Sequence, residues 1–389
     1  MSDFSAPLET EWWLLLAACS DLPPEEKTAK IRAISGSVIE WDLLLRLADH
    51  HGVQPILAQY LMSIGEHVPF KTLERIKRLY QINVHKVLLL SREFARIVDC
   101  LSRADIEFMP YKGLALAETI YGDVALRQSG DVDLLIHAAD LTRVREAVTG
   151  LEYSPHQPLL PDEEEAYLRS GYECAFDGPL GKNLLEVQWA IQPRFYAVDL
   201  GVDQLFRRAV KATVVGAEIK TLSPEDSFLV LALHAAKHVW GKLIWLCDLA
   251  RISQIPTLDW TWIGSQAQEL GIVRILGVSL ALARNLLGSS PAASALQHLP
   301  EDSAVEPLAN EIASHIACEK SFDVESLAYF KLMTRLRERR ADRIRLVSRL
   351  AFTPGPAEWA VTRLPRRLFP LYRVVRITRL AARLVGGRG

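Results

Sequence analysis

The first hundred residues carry apolar side chains at helical spacing. Runs such as 41–48 and 76–98 repeat apolar residues every three or four positions, and β-branched residues rarely cluster in them. Proline residues interrupt the pattern between these runs. We therefore expect residues 1–100 to form a helical region that packs on the rest of the chain.

From about residue 101, short apolar runs alternate with amphipathic ones. The predicted strands are 106–111, 131–137, 171–177, 184–191 and 212–221, and the predicted helices are 114–121 and 139–149. An acidic loop is predicted at 162–165 and is interpreted as a solvated face or a flexible lid. Strands interleaved with helices predict a small mixed β-sheet, so residues 101–222 are assigned to an α+β core.

Helical spacing returns after residue 222. The run Ser223-Pro224-Glu225-Asp226 is a typical helix start, because serine caps the N-terminus, proline suits the first turn and acids favour the helix dipole. Further amphipathic helices follow, and Pro354-Gly355-Pro356 then breaks the chain. The predicted division is a helical domain at 223–350 and a tail at 351–389.

The composition is that of an ordinary globular protein, with 49% apolar and 24% charged residues. The first residues include acids where a signal peptide would have lysines, and no run reaches the roughly 18 apolar residues of a transmembrane helix. A cytoplasmic protein without a transmembrane segment is expected. The five cysteines are scattered without a CxxC pair, which predicts neither a disulfide framework nor a zinc site.

Charge is unevenly distributed along the chain. From Arg335 onward there are 15 arginines and three acids, which gives +12, so the remainder carries −14 of the total −2. Arg373, Arg376, Arg379 and Arg383 recur on one helical face, with Leu, Val and Ile on the other. Three interpretations of this basic tail remain open: packing on the acidic body of its own molecule, binding to an anionic membrane surface, or binding to nucleic acid.

Two carboxylates stand inside a predicted buried strand. Asp131 and Asp133 are two residues apart in an apolar run that continues to Ile136, so both side chains project from one face. Two acids on an apolar face repel each other and lose solvation unless a cation lies between them. Mg²⁺ suits such oxygen ligands because it also retains positions for water and phosphate. The alternative is an Asp-x-Asp turn on the surface.

A phosphate-binding turn is indicated upstream of these acids. Lys112-Gly113 follows one predicted strand and precedes a predicted helix. Glycine at such a turn lets backbone N–H groups approach a phosphate, and a helix N-terminus favours negative charge. The lysine adds a positive charge beside them.

At these residues the chain resembles the polymerase-beta-like nucleotidyltransferase superfamily, in which a glycine-bearing turn and a helix precede a strand with an Asp-x-Asp pair. The similarity is greatest to a bacterial branch with Lys-Gly in place of Gly-Ser and a following Arg-x-Ser-x-Asp-x-Asp run. That run is here Arg127, Ser129, Asp131 and Asp133. The resemblance implies a nucleotidyltransferase core that holds Mg²⁺ and a nucleoside triphosphate (NTP).

A third acid is predicted in the run 183–191, where Glu186 interrupts an apolar strand pattern. In the resembling branch, a strand here carries an acid, a histidine two residues later and then a tryptophan. Glu186, Gln188 and Trp189 occupy these places, so Gln188 departs from the branch. The resemblance implies that Glu186 binds metal or accepts a proton, and the alternative is an edge-strand carboxylate that faces water.

The helix after Ser223 carries His234, Lys237 and His238 on one face. Zinc peptidases also use histidines at this spacing, but their glutamate is replaced here by Ala235. The segment 234–248 again resembles the nucleotidyltransferase branch, which implies a helix beside the nucleotide or acceptor pocket with Lys237 suited to phosphate contact. The alternative is that the histidines and nearby tryptophans are packing residues.

Together with the resemblance, these motifs predict a Mg²⁺-dependent enzyme that transfers a nucleoside monophosphate from an NTP to an acceptor and releases pyrophosphate. The predicted catalytic and metal-binding residues are Asp131, Asp133 and Glu186, and the predicted nucleotide-binding residues are Lys112, Gly113, Arg127, Ser129 and Lys237. The acceptor stays open among a small molecule, a peptide, a protein and a tRNA. The alternative function is an inactive scaffold that binds nucleotide or a partner, which Gln188 favours.

Overall fold

The computed structural model describes residues 9–179, 181–317 and 326–386, and the N-terminal region is helical as predicted. Its helices are α1 (Glu9–Cys19), α2 (Pro24–Ser35), α3 (Trp41–His50), α4 (Gln54–Ser63) and α5 (Phe70–Arg103). The apolar face of α5, which includes Phe94 and Ile97, is buried against the sheet described next. Residues 1–8, with their acidic start, and Cys318 lie outside the described residues.

A five-stranded mixed sheet forms the centre of the described chain and confirms the α+β class. Its strands are β1 (Phe108–Pro110), β2 (Val132–Ile136), β3 (Ser154–Pro155), β4 (Glu173–Gly178) and β5 (Gly181–Gln188). The spatial order is β1-β2-β5-β4-β3, with β2 parallel to β5 and the other neighbours antiparallel. The central position of β5 excludes the edge-strand alternative for Glu186.

Helices connect these strands. They are α6 (Gly113–Leu116), which a π-helical turn extends to Tyr121, then α7 (Leu141–Thr149), α8 (Pro161–Ser170) and α9 (Val202–Arg208). The predicted acidic loop at 162–165 is wrong, because these residues form the first turns of α8. Pro161 opens the helix, and Glu163 Oε2 accepts a hydrogen bond of 3.0 Å from Leu160 N. The acids therefore complement a helix N-terminus.

The predicted strand at 212–221 is a hairpin of two strands, β6 (Val210–Val214) and β7 (Ala217–Thr221), which pair as a separate sheet. The chain reverses at Val215 and Gly216, whose φ angles are 52° and 75°. Two successive positive φ angles are those of a tight hairpin turn. The apolar pattern continues through this turn, which is why the sequence did not indicate it.

The second helical region comprises α10 (Pro224–Lys237), α11 (Leu243–Ser253), α12 (Trp260–Leu270), α13 (Val273–Leu287), α14 (Ser290–Ala295), α15 (Val305–Ile316) and α16 (Leu327–Arg335). The predicted start of α10 is confirmed, since Ser223 Oγ accepts a hydrogen bond from Asp226 N. Buried residues of α1 and α4 share one apolar core with α10, α11 and α13. A second core lies between the sheet, α5 and α7.

The remaining helices are α17 (Arg340–Phe352), α18 (Pro356–Val361) and α19 (Tyr372–Gly386), with a 3₁₀ segment at Arg366–Leu371. Trp359 is buried and meets the ring of Tyr167 on α8 edge-on, with centroids 6.0 Å apart. Arg366 forms an ion pair of 2.6 Å with Glu165 on the same helix. The tail thus packs on the core. No helix in the described part of the chain combines the length and apolar composition needed to cross a membrane.

Candidate active site

The predicted acids meet on neighbouring strands. Asp133 of β2 is the register partner of Glu186 on the parallel strand β5, and Asp131 immediately precedes β2. Because directly paired residues project from the same face, Asp133 and Glu186 approach each other there. Asp133 is buried within the sheet, so it does not belong to a surface turn.

One cavity of about 870 Å³ brings the predicted residues together. Its lining includes all eight of the predicted site residues: Lys112, Gly113, Arg127, Ser129, Asp131, Asp133, Glu186 and Lys237. These residues come from the turn before α6, the segment before β2, the two central strands and α10. The fold therefore joins motifs that are distant in sequence.

Lys112 and Gly113 lie directly beside the acids. Lys112 Nζ is 2.6 Å from Asp133 Oδ1, and both side chains are buried. Burial alone would lower the pKa of Lys112, but the charge and hydrogen bond of Asp133, together with Tyr111 and Glu186, outweigh burial and raise that pKa above its ordinary value. Lys112 is therefore a charged ammonium within the cavity.

Both the backbone conformation at position 113 and the atoms around it favour glycine. Its φ angle is +54°, and a methyl group built on it would lie 3.2 Å from the carbonyl oxygen of Asp131 and 3.9 Å from Asp133 Oδ2. Ser129 Oγ would be 3.8 Å away. A larger residue would thus strain the turn and fill the space beside the two aspartates.

The acids disfavour one another's ionisation. Burial, reinforced by the charge of Asp133, raises the pKa of Asp131 to about 6. Burial and the charges of Asp133 and Glu173 raise the pKa of Glu186 to about 8. The site therefore contains more carboxyl groups than Lys112 can neutralise, which is the electrostatic setting of a cation-binding site.

Glu173 is an acid of this site that the sequence analysis missed. It lines the same cavity and is the register partner of Gln188 on β5. Gln188 Nε2 donates to Glu173 Oε2 at 3.3 Å and to Glu186 Oε2 at 3.4 Å. The Tyr111 hydroxyl donates to Gln188 Oε1. Gln188, which departs from the resembling branch, thus bridges two carboxylates in a buried network.

Lys237 joins the opposite end of this network. Its Nζ donates to the Tyr172 hydroxyl at 3.0 Å, and that hydroxyl donates to Glu173 Oε1. Burial lowers the pKa of Lys237, although Glu173 opposes the shift. Lys237 is therefore linked to the acids through Tyr172 rather than by a direct ion pair.

Arg127 has a different environment from that expected of a phosphate ligand. Its guanidinium forms a buried two-point pair with Asp248 of α11, with Nη2–Oδ2 at 2.9 Å and Nε–Oδ1 at 3.0 Å. The Tyr121 hydroxyl also donates to Asp248, at 2.7 Å. Arg127 Nη1 is 3.5 Å from Ser129 Oγ. In this structure, Arg127 ties the segment before β2 to α11.

His234 and His238 form an aromatic wall with Trp245. The two imidazole centroids are 4.9 Å apart, and each lies within 5.3 Å of the indole centroid. Burial and nearby lysines lower the pKa of His238 to about 3 and also lower that of His234. Both rings are therefore neutral at physiological pH and suit stacking against a planar group.

The N-terminal helices supply a basic wall that the sequence analysis did not assign to a site. Arg46 of α3 and Arg75, Asn83 and Lys86 of α5 line the large cavity. Asn83 Nδ2 donates to Ala125 O at 2.8 Å and so connects α5 to the segment before Arg127. A charged helix face is normally solvated, so no sequence signal distinguished these residues.

Among the described residues, no three His, Cys, Asp or Glu side chains are placed closely enough to hold a metal ion as they stand. The donor chemistry of the site nevertheless fits Mg²⁺, because Asp131, Asp133 and Glu186 offer carboxylate oxygens on one side of the sheet. Gly113 leaves space beside the two aspartates. The residues present thus suit a hard divalent cation.

Comparison with known proteins identifies a family for the chain. A family model described as "Uncharacterised nucleotidyltransferase" matches residues 37–288, which is more than half of the chain. The solved structure of an antigenic nucleotidyltransferase-like protein from Paracoccidioides brasiliensis is similar at 18% identity, covering 57% of this chain and 95% of that one, with a TM-score of 0.30. No curated protein matches the chain.

Proposed function

The chain belongs to a family of nucleotidyltransferases, and from this premise we propose that it transfers a nucleoside monophosphate from an NTP to an acceptor hydroxyl or phosphate. The observation that carries the proposal is the cavity shared by Asp131, Asp133, Glu186 and the Lys112-Gly113 turn. Acids, a cation and an open glycine turn are the groups that triphosphate chemistry needs.

The proposed reaction is an in-line displacement at the α-phosphorus. An acceptor oxygen forms a bond to this phosphorus, the bond to the oxygen that bridges to the β-phosphate breaks, and pyrophosphate leaves. Mg²⁺, held by Asp131, Asp133 and Glu186, would neutralise the phosphate charge. Lys112 would exchange its contact with Asp133 for a phosphate oxygen, and the Gly113 turn would admit the triphosphate.

The neutral aromatic wall and the basic N-terminal wall complete the part of the large cavity that we assign to the NTP. We assign the His238–Trp245 surface to the planar nucleobase, since stacking needs no charge and tolerates different bases. Arg46 and Lys86 would face the phosphates or ribose. Lys237 would contact phosphate or hold Tyr172 and Glu173 in place.

A second cavity offers a route for the acceptor. It measures about 460 Å³, is lined by apolar residues such as Leu168 and Trp189, and shares Glu173 and Glu186 with the large cavity. An acceptor that enters there would meet the NTP at the two glutamates. If Asp131 and Asp133 hold the Mg²⁺ without Glu186, the ionised Glu186 would instead accept the acceptor proton, because a carboxylate whose pKa is near the working pH is an effective base.

A transfer assay with α-labelled NTP tests the function. Each of ATP, GTP, CTP and UTP is incubated with Mg²⁺, the full-length protein and size-fractionated cell extract as the acceptor pool. We expect pyrophosphate release and transfer of label into one fraction. Asp131→Asn and Asp133→Asn should each abolish both, whereas Asp99→Asn, at an exposed ion pair on α5, should not. Unchanged transfer by both site variants contradicts the proposal.

The inactive-scaffold alternative differs in one measurement. It predicts NTP binding by titration calorimetry without transfer to any fraction, and Gln188 is the residue that favours it. In the structure, Gln188 holds two acids rather than leaving them without a partner, which supports an assembled site.

The variant Ala175→Phe tests the roles of the two cavities separately. Ala175 lines the second cavity and pairs in register with Glu186, so a phenyl ring there would occupy the acceptor route. We expect NTP affinity to stay within about twofold and transfer to fall by roughly a hundredfold, as misplacement of an acceptor commonly causes. Loss of NTP binding instead would place the donor in this cavity.

A further inference from the structure

Two arginines of the helix α19 point into the molecule. Arg376 and Arg379 form ion pairs of 3.2 and 2.7 Å with Glu358, which is fully buried, and Arg376 also donates to Leu350 O. Tyr372 is buried as well, and its hydroxyl accepts from Leu364 N at 2.9 Å. The helix is therefore anchored to the body through polar groups.

The outward side of the same segment carries a row of aliphatic side chains. Leu368, Leu371, Val374 and Ile377 recur every third residue along the 3₁₀ segment and α19, and each is between 41% and 57% exposed. We call these four residues the apolar stripe. A surface helix normally buries its apolar face and exposes its charges, so this arrangement is the reverse of the usual one.

Positive charge surrounds the apolar stripe. Arg363, Arg367 and Arg373 are exposed in the same segment. The acids between Arg335 and residue 386 are engaged elsewhere: Glu338 accepts from backbone N–H groups, Asp342 pairs with arginines, and Glu358 is buried. The helix α17 packs on α19 and also exposes apolar residues, among them Ile344 and Val347. The exposed surfaces of the 3₁₀ segment, α17 and α19 thus combine aliphatic side chains with arginines.

We propose that the apolar stripe and its arginines dock this protein on an anionic lipid surface. Aliphatic side chains of an interfacial helix enter the boundary between headgroups and acyl chains, and arginines bind lipid phosphates. A second copy of the chain is a poorer partner, because joining two such faces brings the arginines together. Nucleic acid would satisfy the arginines and leave the aliphatic residues in water.

Vesicle co-sedimentation of the full-length protein tests this proposal. Phosphatidylcholine vesicles are compared with vesicles that also contain phosphatidylglycerol, at low and high salt. We expect binding to the anionic vesicles only, with weakening as salt rises. Val374→Glu combined with Ile377→Glu should reduce the apparent affinity by about tenfold or more, since two apolar contacts are lost and two like charges approach the lipid.

A matched control places the same charges elsewhere. Val38 and Leu88 are exposed aliphatic residues of the N-terminal region, and Val38→Glu with Leu88→Glu should leave vesicle binding unchanged. Circular dichroism and melting curves check that both double variants fold.

Several outcomes would overturn the proposal. These are absent binding of the wild type at low salt, equal binding of the Val374/Ile377 variant, and a wild-type dimer in sedimentation velocity that the variant loses while neither binds vesicles. RNA binding without vesicle binding would likewise assign the surface to nucleic acid. The NTP assay is independent of all these results.

Discussion

At the scale of single residues, the site depends on carboxylates that burial and mutual repulsion make difficult to ionise. Glu186 is faced by Asp131, Asp133 and Glu173, and Lys112 is the cation that opposes them. A folded-state pKa above the unfolded value means that the stability contributed by the protonated form is present below the unfolded pKa. It is lost as pH rises through the folded pKa. For Glu186 this window extends from the ordinary glutamate pKa of 4.5 to about 8.

The first prediction follows from the raised pKa of Glu186 in the folded protein. In buffer containing EDTA, Glu186→Gln should melt at a higher temperature than the wild type at pH 8, by a few degrees, because the amide removes a repelled charge. The difference should shrink toward pH 5, where the wild-type carboxyl group is protonated. Mg²⁺ should stabilise the wild type more than the variant. Melting curves across pH check this, and equal Mg²⁺ stabilisation of both proteins contradicts the metal assignment.

Gln188 gives the second prediction. Gln188→Leu keeps the volume of the side chain but removes the amide that orients Glu173 and Glu186 and accepts from Tyr111. We expect a stability loss of about 1–3 kcal/mol from unsatisfied buried groups. Turnover should fall while NTP affinity stays near normal, because the contacts with Lys112 and the aspartates are unaffected. Gln188→His introduces the residue of the resembling branch, and its turnover should be higher than that of Gln188→Leu. Equal turnover of the wild type and both variants would exclude a positioning role for Gln188.

At the scale of elements, sequence patterns predicted the strands that carry the known motifs but not the way in which they pair. Asp133 and Glu186 each interrupt an apolar strand pattern, and burial of such acids is unusual enough to indicate a function. Their parallel pairing is a tertiary contact that no local pattern encodes. Glu173 was missed because β4 is only partly buried, so its acid resembles a solvated one. The acids of α8 were interpreted as a loop although Pro161 and the acids after it form the same helix-start pattern as Pro224, Glu225 and Asp226.

Arg127 shows how an element can be fixed by one ion pair, and it gives the third prediction. Asp248→Asn would leave the buried guanidinium without a counter-charge, so the free energy of unfolding should fall by about 3–5 kcal/mol. The exposed pair Asp99–Arg103 provides the comparison, since Asp99→Asn should cost less than about 1 kcal/mol. Urea unfolding measures both. If Asp248→Asn weakens NTP binding without loss of stability, Arg127 acts on the nucleotide instead.

At the scale of the whole molecule, the candidate active site lies between the two apolar cores. The helices α1 and α4 share their core with α10, α11 and α13, while α5 packs on the sheet. The large cavity takes residues from both sides, including Arg46 of α3, Glu186 of β5 and Trp245 of α11. The N-terminal helices therefore contribute to the geometry of the site, which their amphipathic sequence alone did not indicate.

The tail contributes Pro356 to the second cavity, and the last prediction concerns it. Trp359 packs on Tyr167 of α8, and both Tyr167 and Pro356 line the second cavity. In contrast, Trp245 is the last residue in sequence order among the described residues that line the large cavity. Removing residues 357–389 should therefore lower the melting temperature and impair transfer to the acceptor, with NTP affinity largely unchanged. Calorimetric NTP titration and the transfer assay on the truncated protein measure the two effects separately.

Glu358→Gln is the milder variant, because it weakens the pairs with Arg376 and Arg379 while keeping the tail, and we expect a smaller change in the same direction. A truncated protein that retains the melting temperature and transfer rate of the intact one would show that the tail does not support the acceptor side.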